Sequence, residues 1–320
     1  LANINWSSVQ PGDTVYLHGG DTYTDLMTVG KSGTGSGATY TSPITISVEG
    51  TSSGTNPAII DVRNSSSVAI SVSGRAYIII DGIYGQAAIH DPSGTPDTNY
   101  GLRIINVGTN GGCVRDTGGG PFKVFHMDCS ASQAGSGDDA HGGIVEQSAA
   151  AGFEFAYNWI HGPSNSVHWA ATGIICWCGT GGTSYTENLI HHNKVEYMYH
   201  DGIDVGNNTS VYNNETHGVD GSWHSDSLQS GGGSYVQIYN NYAHDNSDQN
   251  IYLDRVASGT AGHVRIFNNL VVSVDSPFDT AIGLVIHPEG GNWDDVVVAN
   301  NTFYGILNNV IRKGGGTNSI

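Results

Sequence analysis

The sequence predicts an all-β fold, a right-handed parallel β-helix of about nine or ten rungs, and three observations carry that expectation. Aromatic and β-branched runs recur at Tyr77–Asp81, Phe122–Phe125, Phe153–Ala156, Tyr235–Tyr239, His263–Phe267 and Asp295–Ala299, and such residues favour strands. Most of these runs lead into an asparagine; Asn158, Asn188, Asn214, Asn241, Asn269 and Asn301 follow one another at about 26 to 32 residues, as successive coils of a solenoid would. Stacked Asn side chains can hydrogen-bond along an internal ladder and so offset their burial. Finally, 46 glycines and a charged fraction of only 12% suit short strands joined by turns and leave little for amphipathic helices. The right hand follows from the crossover rule for parallel strands.

Residues 1–60 read as an entry and cap module with the first strands, and residues 61–320 as the coils of the same single domain. In the entry, Pro11-Gly12-Asp13 turns into a strand at Thr14–Leu17, Pro43–Val48 alternates cleanly, and Ala58–Asp61 is a short apolar run. After each Asn a second strand is expected to close the rung: Gly101–Ile104, Gly143–Val145, Gly173–Cys176, Ile203–Val205, Leu228–Gln229, Ile251–Leu253, Gly283–Ile286 and Val310–Lys313. Alternation puts Arg103, Val145, Ile175, Asp204, Gln229, Tyr252, Val285 and Arg312 on its outward face. Residues 91–100 and 133–141 read as loops overhanging that face, and residues 314–320 as the start of another rung.

The formal charge of −18 excludes nucleic acid as a partner, which needs a basic stripe. It also makes a polyanionic substrate unfavourable unless a cation or local basic cluster offsets it. No apolar run is long enough to span a membrane. The chain begins at Leu1, so a leader removed from a secreted or extracellular protein is the expectation. Cys113 and Cys129 flank a Gly-rich loop and can form a disulfide, in keeping with export. Cys176 and Cys178 read as small core residues.

The stretch from His200 to Arg255 concentrates the groups that can do chemistry. Tyr199-His200-Asp201-Gly202-Ile203-Asp204-Val205, Trp223-His224-Ser225-Asp226-Ser227-Leu228-Gln229 and Asp248-Gln249-Asn250-Ile251-Tyr252-Leu253-Asp254-Arg255 recur at about 23 to 25 residues. Asp204, Gln229 and Tyr252 would stack at strand spacing, roughly 4.8 Å per rung, with His200, Asp201, His224 and Asp226 at the strand entrances. Asp201, Asp226, His200, His224 and Tyr252 are the catalytic candidates; Asp204, Gln229, Arg255, Trp223 and Asp254 are the candidates for holding substrate. Taken singly, Asp204 or Asp254 also fits an Asx-turn residue. His191-His192 and His244-Asp245 are expected on another face as surface polar groups, and Lys194 as an exposed turn lysine.

"PGDTVYLHGGDTY", "SPITISVEG" and "PAIID" resemble the opening of right-handed parallel β-helix, pectate-lyase-like polysaccharide lyases. The blocks Asp201-Gly202-Ile203-Asp204 and Ser225-Asp226-Ser227 resemble the acidic rungs of family 9 polysaccharide lyases. That resemblance implies calcium ligands at Asp201 and Asp226 and β-elimination on an acidic polysaccharide, with Tyr252 standing where the family has its catalytic lysine. Residues 199–204 also resemble the rung of polygalacturonase-type glycoside hydrolases, which implies Asp201 and Asp226 as paired acids; that family's Gly-His-Gly rung is replaced by Gln249-Asn250. A lyase needs the uronate carboxylate neutralised, by calcium or Arg255, and a base and an acid from His200, His224 or Tyr252. The third possibility is a glycan-binding solenoid of tailspike or adhesin type, with Trp169, Trp177, Trp223 and Tyr252 as a sugar-stacking platform.

Overall fold

The computed structural model describes residues 1–49, 57–82, 100–132, 141–148, 150–164, 168–169, 171–179, 184–221, 225–254, 260–273, 281–287, 291–306 and 308–313. Three parallel sheets of ten strands each run the length of the chain, and no helix occurs among the described residues. Each rung contributes one strand to each sheet in turn, so the chain is a parallel β-helix of ten rungs. The entry segment already belongs to the coil: Thr14–His18 pairs in parallel with Ile44–Glu49. A small antiparallel hairpin, Thr34–Ser36 with Thr39–Ser42, projects between the first two rungs.

Rungs six to eight hold the candidate site. Their first-sheet strands are Asn188–His191, Thr209–Tyr212 and Val236–Tyr239, followed on the second sheet by Lys194–Glu196, Glu215–His217 and Tyr242–His244. The third sheet receives Ile203–Val205, Asp226–Ser230 and Gln249–Leu253. Two sheets per rung were expected from sequence; the second sheet escapes that reading because its strands here are only three residues long, too short for an alternation to register. Arg103 is displaced accordingly. It lies on the second sheet, with its guanidinium Nε 2.7 Å from Asp128, and Arg115 takes its expected place on the third.

The asparagine ladder is real but has one different member. Asn158, Asn193, Asn214, Asn241, Asn269 and Asn301 stack, each donating its Nδ2 to the Oδ1 of the next at 2.9–3.0 Å. Each ladder residue follows a residue at positive φ, such as Tyr157, His192, Asn213 and Asn240, which closes the turn between the first and second sheets in two residues. Asn188 instead begins a first-sheet strand and accepts the Gly152 and Phe153 amides. Lys194, the residue after Asn193, is a half-buried strand residue and not a turn lysine.

Inside the coil the third sheet carries Ile144, Ile174, Ile203, Leu228, Ile251 and Leu284 in one register column, all in the core. The preceding position also turns inward, against the second sheet, and at its glycines there is no room for a side chain. A Cβ on Gly173 would run into Val195, and one on Gly202 would overlap the Ser227 carbonyl. Two consecutive inward residues put Asp201 and Asp226, one step earlier, on the outer face.

Cys113–Cys129 form the expected disulfide. Cys176 and Cys178, read from sequence as core thiols, are buried but bridged to each other. In the register column of Cys176, Glu146 lies opposite Asp116, both fully buried. Burial first, reinforced by the Asp116 charge and only partly offset by hydrogen bonds from Ser148, pushes Glu146 up to about 8; burial also raises Asp116. The raised carboxyl stabilises the fold fully below its ordinary value of 4.5 and loses that contribution as pH rises towards about 8. Thermal unfolding should therefore show the melting temperature falling from pH 5 to pH 8, with Glu146→Gln flattening the slope. An unchanged slope in that variant would assign the pH dependence elsewhere.

Candidate active site

The outward face of the third sheet bears two register columns. One runs Arg115, Val145, Ile175, Asp204, Gln229, Tyr252, Val285, Arg312, the expected series apart from its first member. The other passes through Asp201 and Asp226 to Gln249 and Ile282; the Asp226 amide donates to Asp201 Oδ1 at 2.9 Å. The polar residues of both columns fall together on rungs six to eight.

These carboxylates are not exposed groove residues, as the alternation suggested: Asp201, Asp204 and Asp226 are 1%, 3% and 0% accessible. Alternation fixes the face a side chain occupies but not what stands over that face. Asp201 spends one oxygen on the Asp226 amide and holds His200 Nδ1 at 3.0 Å with the other. Asp204 Oδ2 accepts the Trp177 indole N–H, while its Oδ1 is buried with no hydrogen-bond partner among the described residues. Burial, then the Asp201 charge, with Asp226 and Asp254 beyond it, raise Asp204 well above the carboxylate range against the pull of Trp177. Gln229 Oε1 and Gln249 Oε1 are likewise buried without a partner among the described residues.

Tyr252 is buried in a small outward apolar patch with Ile282 and Val285, its ring 6.2 Å from that of His287. Asp254 is half-buried at the strand exit, close enough to Asp204 to raise it. Trp223, His224 and Arg255 lie outside the described residues. The sugar-stacking platform is corrected at Trp169, which is fully buried in the core; among the platform's described residues, Trp177, 41% exposed, offers an indole face. Among the described third-sheet residues from Thr172 to Leu253 there is no Lys or Arg.

Sequence reasoning missed Gln249 as a site residue, the bond from Trp177 to Asp204 and the chemistry on the outer face of the second sheet. There Lys194 lies 2.9 Å from Glu196 and 3.5 Å from Glu215, and Trp159 donates to Glu196 at 2.7 Å. Burial works to raise Glu196, but the hydrogen bonds from His217, Lys194 and Trp159 outweigh it and hold the carboxyl at about 2. The signal was the polar–inward–polar triplet after the first four ladder asparagines: Trp159-Ile160-His161, Lys194-Val195-Glu196, Glu215-Thr216-His217, Tyr242-Ala243-His244.

Fold and face together define a β-helix with a buried acidic cluster on one sheet. No family model matches the chain, and no curated protein does. Among solved structures, the chain is similar to an alginate lyase from Paenibacillus sp. at 15% identity and a TM-score of 0.42, with 93% of each chain covered. It is also similar to XylC in complex with xylose, at 9% identity and a TM-score of 0.44, over 92% of this chain and 65% of that one. A third likeness is to a mannuronic acid specific family 6 polysaccharide lyase from human gut microbiota, at 13% identity and a TM-score of 0.29, over 91% and 78% of the two chains.

Proposed function

We propose that this chain is a secreted enzyme that cleaves a uronic-acid-containing polysaccharide by β-elimination on the third sheet. One observation carries the reading: Asp201, Asp204 and Asp226 are buried together, with no Lys or Arg beside them among the described third-sheet residues. Like charges out of water need a proton or a cation to offset them. The donor set is all oxygen, with the buried oxygens of Asp204, Gln229 and Gln249 open, which suits a hard cation such as calcium. Asp201 is the poorer ligand, because both its oxygens are engaged; Asp204, Asp226 and Gln229 would hold the ion. When bound, calcium would neutralise the uronate carboxylate and so acidify the C5 proton.

The remaining steps fall to the chain itself. His200, oriented through Nδ1 by Asp201, takes the C5 proton on its other nitrogen as the C4–C5 double bond forms. The C4–O bond breaks, and Tyr252 supplies the proton to the leaving oxygen. The two disulfides support export to an oxidising compartment.

A second reading has its own observation. Burial pushes Asp204 well above the carboxylate range, while Asp201 lies beside His200 and accepts the Asp226 amide; a raised carboxyl beside a second, hydrogen-bonded one is an arrangement that serves hydrolysis. Pectate and alginate incubated with the protein distinguish the two. The lyase gives near-ultraviolet absorbance that a chelator abolishes and calcium restores. Reducing ends without absorbance would establish the hydrolase instead, and binding without either product a glycan-binding solenoid.

A further inference from the structure

The outer face of the second sheet carries a second constellation, remote in chemistry from the acidic cluster because it is built on imidazoles. His217 and His244 are register partners on neighbouring rungs, their rings stacked 4.4 Å apart and nearly parallel. Asp245 follows His244 at positive φ, which turns its carboxylate back over both rings. Its Oδ2 lies 2.9 Å from His244 Nδ1 and 3.9 Å from His217 Nε2. One ligand atom from each of His217, His244 and Asp245 falls within 4.8 Å of the others, the only such His, Cys, Asp or Glu set among the described residues. A tetrahedral ion with bonds near 2.0–2.1 Å needs ligand atoms about 3.3 Å apart, so small side-chain adjustments close the set.

The surroundings point the same way. The nitrogen of each imidazole that faces away from Asp245 is backed by a glutamate. His217 Nδ1 lies 3.4 Å from Glu196 Oε1, and His244 Nε2 lies 3.5 Å from Glu215 Oε1. A carboxylate behind a ligating imidazole fixes its tautomer and strengthens it as a donor. Lys194 approaches the same Oε1 of each glutamate, at 2.9 Å from Glu196 and 3.5 Å from Glu215, and holds both in place. All three candidate ligands are only partly buried, and Tyr242, whose ring stacks 4.3 Å from His244, is exposed at the edge. A fourth position is thus open to water or a small ligand.

We propose that His217, His244 and Asp245 form a site for a divalent transition-metal ion of the zinc class. Two imidazoles and one carboxylate suit zinc, cobalt or nickel and not calcium, so the site is separate from the oxygen cluster of the third sheet. It stands or falls independently of the lyase reading.

Titration of chelator-stripped protein with zinc chloride, followed by calorimetry, tests it, with cobalt(II) absorbance reporting the coordination geometry. One equivalent should bind, and the cobalt complex should show the intense visible bands of a four-coordinate ion. His244→Ala and Asp245→Asn, the latter keeping a residue that tolerates the left-handed turn, should each weaken binding at least tenfold. Glu215→Gln should weaken it about 10- to 100-fold, and Asp226→Asn on the other sheet should leave it unchanged. Cooperative unfolding of each variant establishes that it is folded. Zinc binding that is undetectable, or equally tight in folded His244→Ala and Asp245→Asn, would overturn the proposal.

Discussion

Asp226→Asn is expected to lower turnover on a uronan by about 10²- to 10³-fold, the range lost when one group that offsets transition-state charge is removed. Asp204→Asn should lower turnover likewise and also raise the melting temperature. Asp204 is buried beside Asp201 and Asp226 with one oxygen lacking a hydrogen-bond partner among the described residues, and charge crowded out of water destabilises the fold that holds it. A neutral amide of the same shape removes that repulsion and adds no void. Relief of about 1 kcal/mol would lift the melting temperature of a chain this size by roughly 1–2 °C. Asp201→Asn should not raise it: Asp201 holds His200 and the Asp226 amide, so its neutral variant loses activity and stability together. Initial rates and scanning calorimetry on the three variants decide the matter. If Asp226→Asn unfolds the protein or leaves turnover intact, Asp226 is a turn residue and the acidic cluster is structural.

The sequence disclosed this molecule unevenly, and the reasons are physical. The coil was legible because most first-sheet strands alternate inward apolar residues with others and the residue that closes each turn from rung five on is an asparagine. Seven of the eight positions expected to face outward on the third sheet, Val145 to Arg312, do so, because a strand's period of two needs no tertiary knowledge. Arg103 was misassigned because an apolar alternation says that a strand exists, not which of three sheets it joins. Asn188 was mistaken for Asn193 because both follow or begin apolar strands, and only the stack of amides between coils separates them. Burial of Asp201 and Asp226 could not be read at all, since alternation assigns a side chain to a face and says nothing of its accessibility there. The His217–His244–Asp245 set was hidden for a related reason: its two histidines are 27 residues apart and meet only because the coil returns to the same height.

Asn214→Ala should cost about 3–5 kcal/mol, among the largest losses a single side chain can cause here. Asn214 sits mid-ladder. Its Oδ1 accepts both the backbone N–H and the Nδ2 of Asn193, and its Nδ2 donates to the Ile190 and Tyr212 carbonyls and to Asn241 Oδ1. Alanine leaves the Asn193 donors and the Ile190 carbonyl buried without partners, each at roughly 1–3 kcal/mol; the ladder above and below loses its continuity. Asn301, at the end of the stack, makes the same bonds to Asn269 and Ile266 but is only partly buried, so water replaces what alanine removes. Asn301→Ala should therefore cost about 1 kcal/mol, a typical net hydrogen bond. Because rungs of a solenoid are coupled mainly to their neighbours, a break at Asn214 should also broaden the denaturant transition or split it, whereas a break at Asn301 should not. Guanidinium titrations of both variants test this: equal losses at the two positions, or a loss below about 1 kcal/mol at Asn214, would mean that strand pairing and not the amide stack holds the turns.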